Sequence, residues 1–359
     1  MRRVLGVTLV LMVLLSVQAA YAGPSDYDLF FDKVKLRPGL KCDIHVKVFV
    51  NEENPLLGET VFAVPGGGYT AQSWDEYAEA LFADPHTRTQ VSQVVALDLP
   101  GRGYSTELIG IPFGEVLVDD DAAAILAALD CLHASGIYPS EILGQCSGAL
   151  EIQMAQERLL EGGSSLFQEY GISRAVLLSP SLPAAIGWHM EDAAHGFVWF
   201  LVSDAELGWH FNIPPEIYLG LFFSNLWGEL SPDAPTAEEI DARGYRALWP
   251  LFWALQIFGE TDLTAYPEQP FFPRPEVSPG IFGLQSGTLL HVVSYVDDPI
   301  ILASQATELF GYLVGDDTLL STNTVIDARD HVHDRVHNLH ISNPSVIIKA
   351  MRKSGALVW

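Results

Sequence analysis

Among the 359 residues, the pentapeptide Gly144-Gln145-Cys146-Ser147-Gly148 carries the clearest chemical meaning. A thiol sits at its centre, glycines stand two positions to either side, an apolar run (Ile142, Leu143) precedes it, and the helix-compatible segment Ala149 to Leu160 follows. A strand-to-helix turn sharp enough to push its apex side chain outward leaves room only for small residues two positions before and two after the apex. The same turn aims the next backbone N–H at the reacting centre from the start of the helix, where it can hold a developing oxyanion. Cys146 is therefore the candidate nucleophile and Ser147 the candidate oxyanion-hole donor. With Ser147 as nucleophile instead, Gln145 and Ala149 would occupy the crowded positions, and glutamine is too large there.

A nucleophile of this kind must be held by a scaffold, and the flanking sequence supplies one. Cys42 to Val50 alternates apolar and polar residues as a half-buried strand does. Thr60 to Val64 is a short apolar strand ending in Pro65-Gly66-Gly67-Gly68-Tyr69, and Trp74 to Phe82 has helical spacing. Gln93 to Leu97 reads as a third strand, closed by the turn Asp98 to Ser105. Val118 to Leu132 is an alanine-rich helix with acidic residues in its first turn, where they suit the helix dipole. Further strands are expected at Ala175 to Leu178, Leu289 to Val296 and Thr324 to Ile326, with helices at Ser304 to Leu313 and Pro344 to Arg352. Strands alternating with helices predict βαβ units and a mostly parallel sheet, an α/β fold.

Between Pro183 and Leu284 the character changes. Six of the eight tryptophans fall here, with many phenylalanines and a proline-rich tail from Pro267 to Pro279. This stretch reads as an inserted, mainly helical cap whose aromatic side chains either pack its own core or line an apolar pocket.

These segments, in this order, resemble the α/β-hydrolase superfamily over nearly the whole chain after residue 22. Four motifs carry the resemblance: Thr60 to Trp74 as strand and oxyanion loop, with Pro65 where histidine is usual; Asp98-Leu99-Pro100-Gly101-Arg102-Gly103-Tyr104-Ser105 as the strand-ending turn; Gly144 to Gly148 as the nucleophile elbow; and His337 to Pro344 as the terminal histidine loop. The resemblance implies an α/β-hydrolase fold, a mostly parallel central sheet flanked by helices with an inserted cap, and a triad. His337 falls at the catalytic histidine position, where it serves as base to the thiol. Asp298, in the turn after the apolar strand Val292 to Val296, falls at the acid position, with Asp297 its close competitor. A carboxylate there fixes the imidazole tautomer and stabilises the imidazolium. Gly67 and Ser147 are the implied oxyanion-hole donors. The domain organisation expected is residues 1–22 as a signal peptide, 23–182 and 285–359 as the hydrolase core, and 183–284 as the cap.

The signal reading rests on Arg2 and Arg3, the apolar run Val4 to Val17, and Ala20-Tyr21-Ala22 as a small-x-small cleavage site. The run is shorter than the ~20 residues of a membrane span, although retention as an anchor stays open. An exported protein with no stable membrane span after cleavage is expected. With 19 Lys and Arg against 45 Asp and Glu, the formal charge is −26, which argues against nucleic acid, whose phosphates need cations. Three cysteines cannot build a disulfide scaffold, and Cys42 and Cys131 are either a pair or two buried thiols. The run Asp330 to His337 contains zinc-ligand types, but the histidine loop already requires one of its histidines, so no metal and no cofactor is expected.

The reaction that follows is acyl transfer through a thioester: hydrolysis of an ester or thioester of an apolar small molecule. An acyltransferase with the same triad, or a non-catalytic binder of an apolar ligand, are the alternatives. The sequence does not fix the oligomeric state.

Overall fold

The computed structural model describes residues 26–54, 58–66, 69–101, 103–105, 108–110, 118–186, 275–296, 298, 301–315, 321–327, 337 and 339–356. The proposed signal segment and most of the proposed cap, residues 187–274, lie outside them.

Nine strands among the described residues form one sheet. They are β1 (Tyr27–Arg37), β2 (Leu40–Val50), β3 (Glu59–Val64), β4 (Val91–Leu97), β5 (Leu108–Ile109), β6 (Glu141–Gln145), β7 (Arg174–Leu178), β8 (Leu289–Tyr295) and β9 (Thr322–Ile326). The spatial order is β1-β2-β4-β3-β6-β7-β8-β9, with β5 pairing on β2. The strands β1, β2 and β4 are mutually antiparallel along this path, and from β4 to β9 every pairing is parallel. Strand β3 is flanked on one side by β4 and on the other by β6, so the strand order reverses there. Ligand sites of open α/β sheets lie outside the carboxyl ends of the strands at such a reversal, and the carboxyl ends of β3 and β6 lead into the glycine loop and Cys146.

Among the described residues seven α-helices accompany these strands: α1 (Asp75–Ala83), α2 (Val118–Ala134), α3 (Ser147–Glu161), α4 (Leu166–Tyr170), α5 (Ala303–Val314), α6 (Leu339–Ser342) and α7 (Pro344–Ser354). The central parallel strands bury both faces, as a sheet covered on both sides must. Alternate side chains divide between two apolar layers. Phe62, Ile142, Leu177 and Val292 pack with α2, α3 and α5 on one face. Val61, Leu143, Val176 and Val293 pack with α1 and α7 on the other. Helix α7 opens on Pro344 in its first turn and closes on Gly355 at φ +80°, the proline-in, glycine-out punctuation of a helix.

Among the described residues the expected elements appear with ends shifted by no more than two residues. Strands β1 and β5 were not expected. Strand β1 is an edge strand with two register irregularities against β2, and most of its residues are exposed or half-buried, so no clean apolar alternation marks it. Arg37 at its end is held by the buried Asp120 of α2, Nε to Oδ1 at 2.6 Å. Cys42, Cys131 and Cys146 are all free thiols. The chain leaves β7 through Ser179 to Ile186 and returns at Pro275, where the Ala184 N–H donates to the Pro275 carbonyl at 3.0 Å, so the two ends of segment 187–274 meet. Among the described residues no helix is long and apolar enough to cross a membrane.

Candidate active site

The turn between β6 and α3 is where the backbone departs from ordinary geometry. Cys146 has φ +51° and ψ −117°, a conformation that side-chain-bearing residues rarely adopt. Backbone strain of this kind costs of order 1–3 kcal/mol and persists only when the surroundings over-determine it. Those surroundings are visible. A β-carbon on Gly144 would lie 2.5 Å from Ile152 Cδ1 and 2.9 Å from the Ala149 backbone, and one on Gly148 would lie 2.5 Å from the Pro65 carbonyl oxygen. The two glycines therefore let α3 fold back against its own strand and against the end of β3. Ser147 is the first residue of α3, so its N–H is among those a helix leaves without an intrahelical partner.

His337 is buried, and its Nδ1 lies 2.9 and 3.0 Å from the two carboxylate oxygens of Asp298. Asp298 is buried as well, and it also accepts from the Ile301 N–H at 3.0 Å and from the Ser179 hydroxyl. Ser179 itself sits at φ +41°, a second strained non-glycine position, at the carboxyl end of β7. Asp297 lies outside the described residues. The carboxylate thus fixes the histidine tautomer with Nδ1 protonated and Nε2 free to act as base. Nε2 meets no strict hydrogen-bond geometry, yet the imidazole is close enough for its charge and hydrogen bond to act on the Cys146 thiol.

The electrostatics follow from this arrangement. Burial alone would raise the Cys146 thiol, but the charge and hydrogen bond of His337, with a hydrogen bond from Ser181, outweigh it and hold the thiol below its ordinary range. Burial likewise disfavours a charged His337, yet the carboxylate of Asp298 and the sulfur of Cys146 together hold it well above the ordinary histidine value. Each charge favours the other, so the arrangement supports a thiolate–imidazolium pair at the half-buried Cys146. His340, three residues on, plays a different part. Burial and the charge of His337 push it down to about 3, and it packs as a neutral ring 4.8 Å from Trp74 and 6.3 Å from Tyr69.

On the other wall runs the loop after β3. Gly67 lies outside the described residues, but its neighbour Gly66 approaches closely enough that a β-carbon there would lie 3.1 Å from Cys146 Cβ and 2.0 Å from Gln145 Oε1. The loop is tied down farther along by Asp98, at the end of β4. Its carboxylate accepts from the Ala71 N–H at 2.6 Å, from the Tyr104 N–H at 2.8 Å, and pairs with His45 Nδ1 at 2.7 Å. Gly103, at φ +52°, has no room for a side chain against that carboxylate. The Asp98 carboxylate therefore ties together the backbones of Ala71 and Tyr104, with His45 of β2 as its side-chain partner.

Sequence reasoning did not single out Ser179, Ser181 or His45. A Ser-Pro-Ser run directly after an apolar strand was the available signal for the first two, whereas His45 faces Asp98 only because β2 lies beside β4. The histidine-rich residues before His337 lie outside the described residues. Among the described residues no three His, Cys, Asp or Glu side chains are grouped to hold a metal ion.

No protein-family model and no curated protein matches this sequence. Solved structures do match in shape. A membrane phospholipase A described as a bacterial virulence factor superposes with a TM-score of 0.54 at 19% identity, covering 99% of this chain and 98% of its own. A thermophilic esterase from Thermogutta terrifontis, with malate bound, gives 0.55 at 14% identity over 91% of this chain and 97% of its own. Naproxen esterase, a carboxylesterase from Bacillus subtilis, gives 0.54 at 14% identity over 91% and 90%. At these identities the likeness speaks for architecture, and it agrees with the strand order, the parallel sheet and the β6–α3 turn: the chain has the α/β-hydrolase fold.

Proposed function

We propose that the protein is an exported hydrolase that cleaves an ester or thioester bond of an apolar small molecule through Cys146, His337 and Asp298. The observation that carries this reading is a thiol at a strained apex beside an imidazole whose far nitrogen is held by a buried carboxylate. A binding pocket alone has no need of that arrangement. The esterases and the phospholipase among the structural neighbours favour ester chemistry.

In the reaction, the Cys146 thiolate attacks the substrate carbonyl, and the oxyanion is received by the Ser147 N–H and, in this reading, by that of Gly67. The imidazolium gives its proton to the departing alcohol or thiol, leaving a thioester on Cys146. A water then attacks the thioester while neutral His337 takes one of its protons. Collapse breaks the C–S bond, returns the electron pair to sulfur, releases the carboxylic acid and restores the ion pair. Asp298 holds the imidazole through both half-reactions.

The tryptophan-rich segment 183–284 supports an apolar acyl or alcohol part, since burying apolar ligand surface contributes about 25 cal/mol per Å² before association costs. Export is proposed from Arg2, Arg3, the apolar run and Ala20-Tyr21-Ala22; a mature N-terminus at Gly23 would bear it out. The functional test is a panel of p-nitrophenyl acyl esters of graded length, with and without prior alkylation. Turnover that rises with chain length, is abolished by iodoacetamide and disappears in Cys146→Ala is expected. Turnover that survives both treatments refutes the thiol nucleophile, and a flat length profile refutes the apolar pocket. Release that speeds up when an alcohol is added would point to an acyltransferase.

A further inference from the structure

The turn after β7 touches both ends of the catalytic array. Ser179 Oγ donates to Asp298, and two residues on Ser181 Oγ lies 3.5 Å from Cys146 Sγ. The Ser181 backbone is pinned to the elbow. Its N–H donates to the Cys146 carbonyl at 2.9 Å, and its carbonyl accepts from Gln153 Nε2 of α3 at 3.4 Å. The hydroxyl therefore keeps its place beside the sulfur by main-chain bonds that do not depend on the hydroxyl itself.

We propose that Ser181 is a fourth catalytic residue, whose hydroxyl donates a hydrogen bond to the Cys146 sulfur whenever that sulfur bears negative charge. This rests on the reading of Cys146 as nucleophile. A thiolate at the half-buried Cys146 has few protein donors to replace the water it loses. His337 is one, and among the described residues Ser181 is the other side chain in hydrogen-bond contact with it. The ionisable groups acting on the sulfur are His337, which favours the thiolate, and Asp298, which opposes it. Ser181 adds a donor with no charge of its own.

The hydroxyl matters most when sulfur leaves. As the deacylation intermediate collapses, the C–S bond breaks and its electron pair goes to sulfur, while His337 has already taken the proton of the attacking water. A thiol of lower basicity is the better leaving group but the weaker nucleophile. Ser181 should therefore speed deacylation more than acylation, a division that simple packing would not produce.

The experiment uses the full-length protein with Cys146 as the observed group. The pH profile of iodoacetamide alkylation is compared for wild type, Ser181→Ala and Ser181→Thr, alongside the burst and steady-state phases with a p-nitrophenyl ester. In Ser181→Ala the alkylation midpoint should move up by about one pH unit, as expected when a charge-assisted hydrogen bond is lost. At a pH above both midpoints, where the thiolate fraction is equal in the two proteins, deacylation should slow by about threefold to tenfold and by more than the burst, and a longer-lived acyl-Cys146 should be seen by mass spectrometry. Ser181→Thr, which keeps a hydroxyl, should recover most of both. An unchanged midpoint and unchanged deacylation overturn the proposal. So does a loss shared equally by both phases, accompanied by a melting temperature lower by several degrees and no recovery with threonine. If Cys146→Ala still turns over and no acyl-cysteine forms in wild type, the nucleophile assignment has failed instead.

Discussion

Replacing Asp298 by asparagine tests the geometry at its most constrained point. One carboxylate oxygen accepts from the Ile301 N–H at 3.0 Å, the other accepts from Ser179, and both lie within 3.0 Å of His337 Nδ1. An amide nitrogen in the Oδ1 place would oppose the Ile301 N–H, which cannot turn away. It must therefore take the Oδ2 place, where the Ser179 hydroxyl can rotate to accept from it. That leaves an N–H donor 2.9 Å from His337 Nδ1. The imidazole is then driven to accept at Nδ1 and carry its proton on Nε2, the wrong tautomer for a base. A lost charge-assisted hydrogen bond alone is worth about 1.5–3 kcal/mol, or roughly 10- to 150-fold, and tautomer reversal in a serine-protease triad brings the loss to about 10⁴. A fall in kcat/KM of about 10²- to 10⁴-fold is expected on a p-nitrophenyl ester, with the alkylation midpoint of Cys146 moving up towards the ordinary thiol range. The melting temperature should change little, because the amide keeps the packing. Retention of more than a third of wild-type activity in Asp298→Asn, or a larger loss in Asp297→Asn, would refute the assignment of the acid.

Three further outcomes follow from local geometry. Cys146→Gly and Cys146→Ala should both be inactive, but the glycine variant should be the more stable by about 1 kcal/mol in chemical unfolding, since it relieves the positive φ; equal stability would mean the turn is not strained. Gly148→Ala should cost about 1–3 kcal/mol and most of the activity, because its β-carbon meets main-chain oxygens of Val64 and Pro65, whereas Gly311→Ala, in open space inside α5, should gain about 0.5–1 kcal/mol. For His45, burial opposes the charged ring, but the hydrogen bonds and charges of Asp98 and Asp28 outweigh it and raise its pKa above 6.5. A raised folded-state value gives stability that is fully present below the unfolded value and lost as pH climbs through the folded one. The melting-temperature gap between wild type and His45→Gln should therefore be widest below pH 6.5 and close at higher pH; a gap constant with pH would refute the ion pair.

The sequence by itself determined a good deal. Small residues two positions from Cys146 are a steric statement about one turn, and a local constraint of that kind is written in neighbouring residues. The parallel strands were legible because β6, β7 and β8 are short apolar runs buried on both faces. Edge strand β1 was not, since a strand half in solvent carries no strict pattern. What tertiary structure decided is everything that depends on residues far apart in the chain. Asp298 and His337 meet across 39 residues of sequence, and Ser181 reaches Cys146 across 35. No spacing rule fixes which of many serines and aspartates will face a given sulfur. His45 becomes the partner of Asp98 only because β2 pairs with β4 in the register that sets Val46 opposite Leu97. A side chain's type states what chemistry it can do. Strand order and register, set by burial of whole faces, determine which other side chain it does it with.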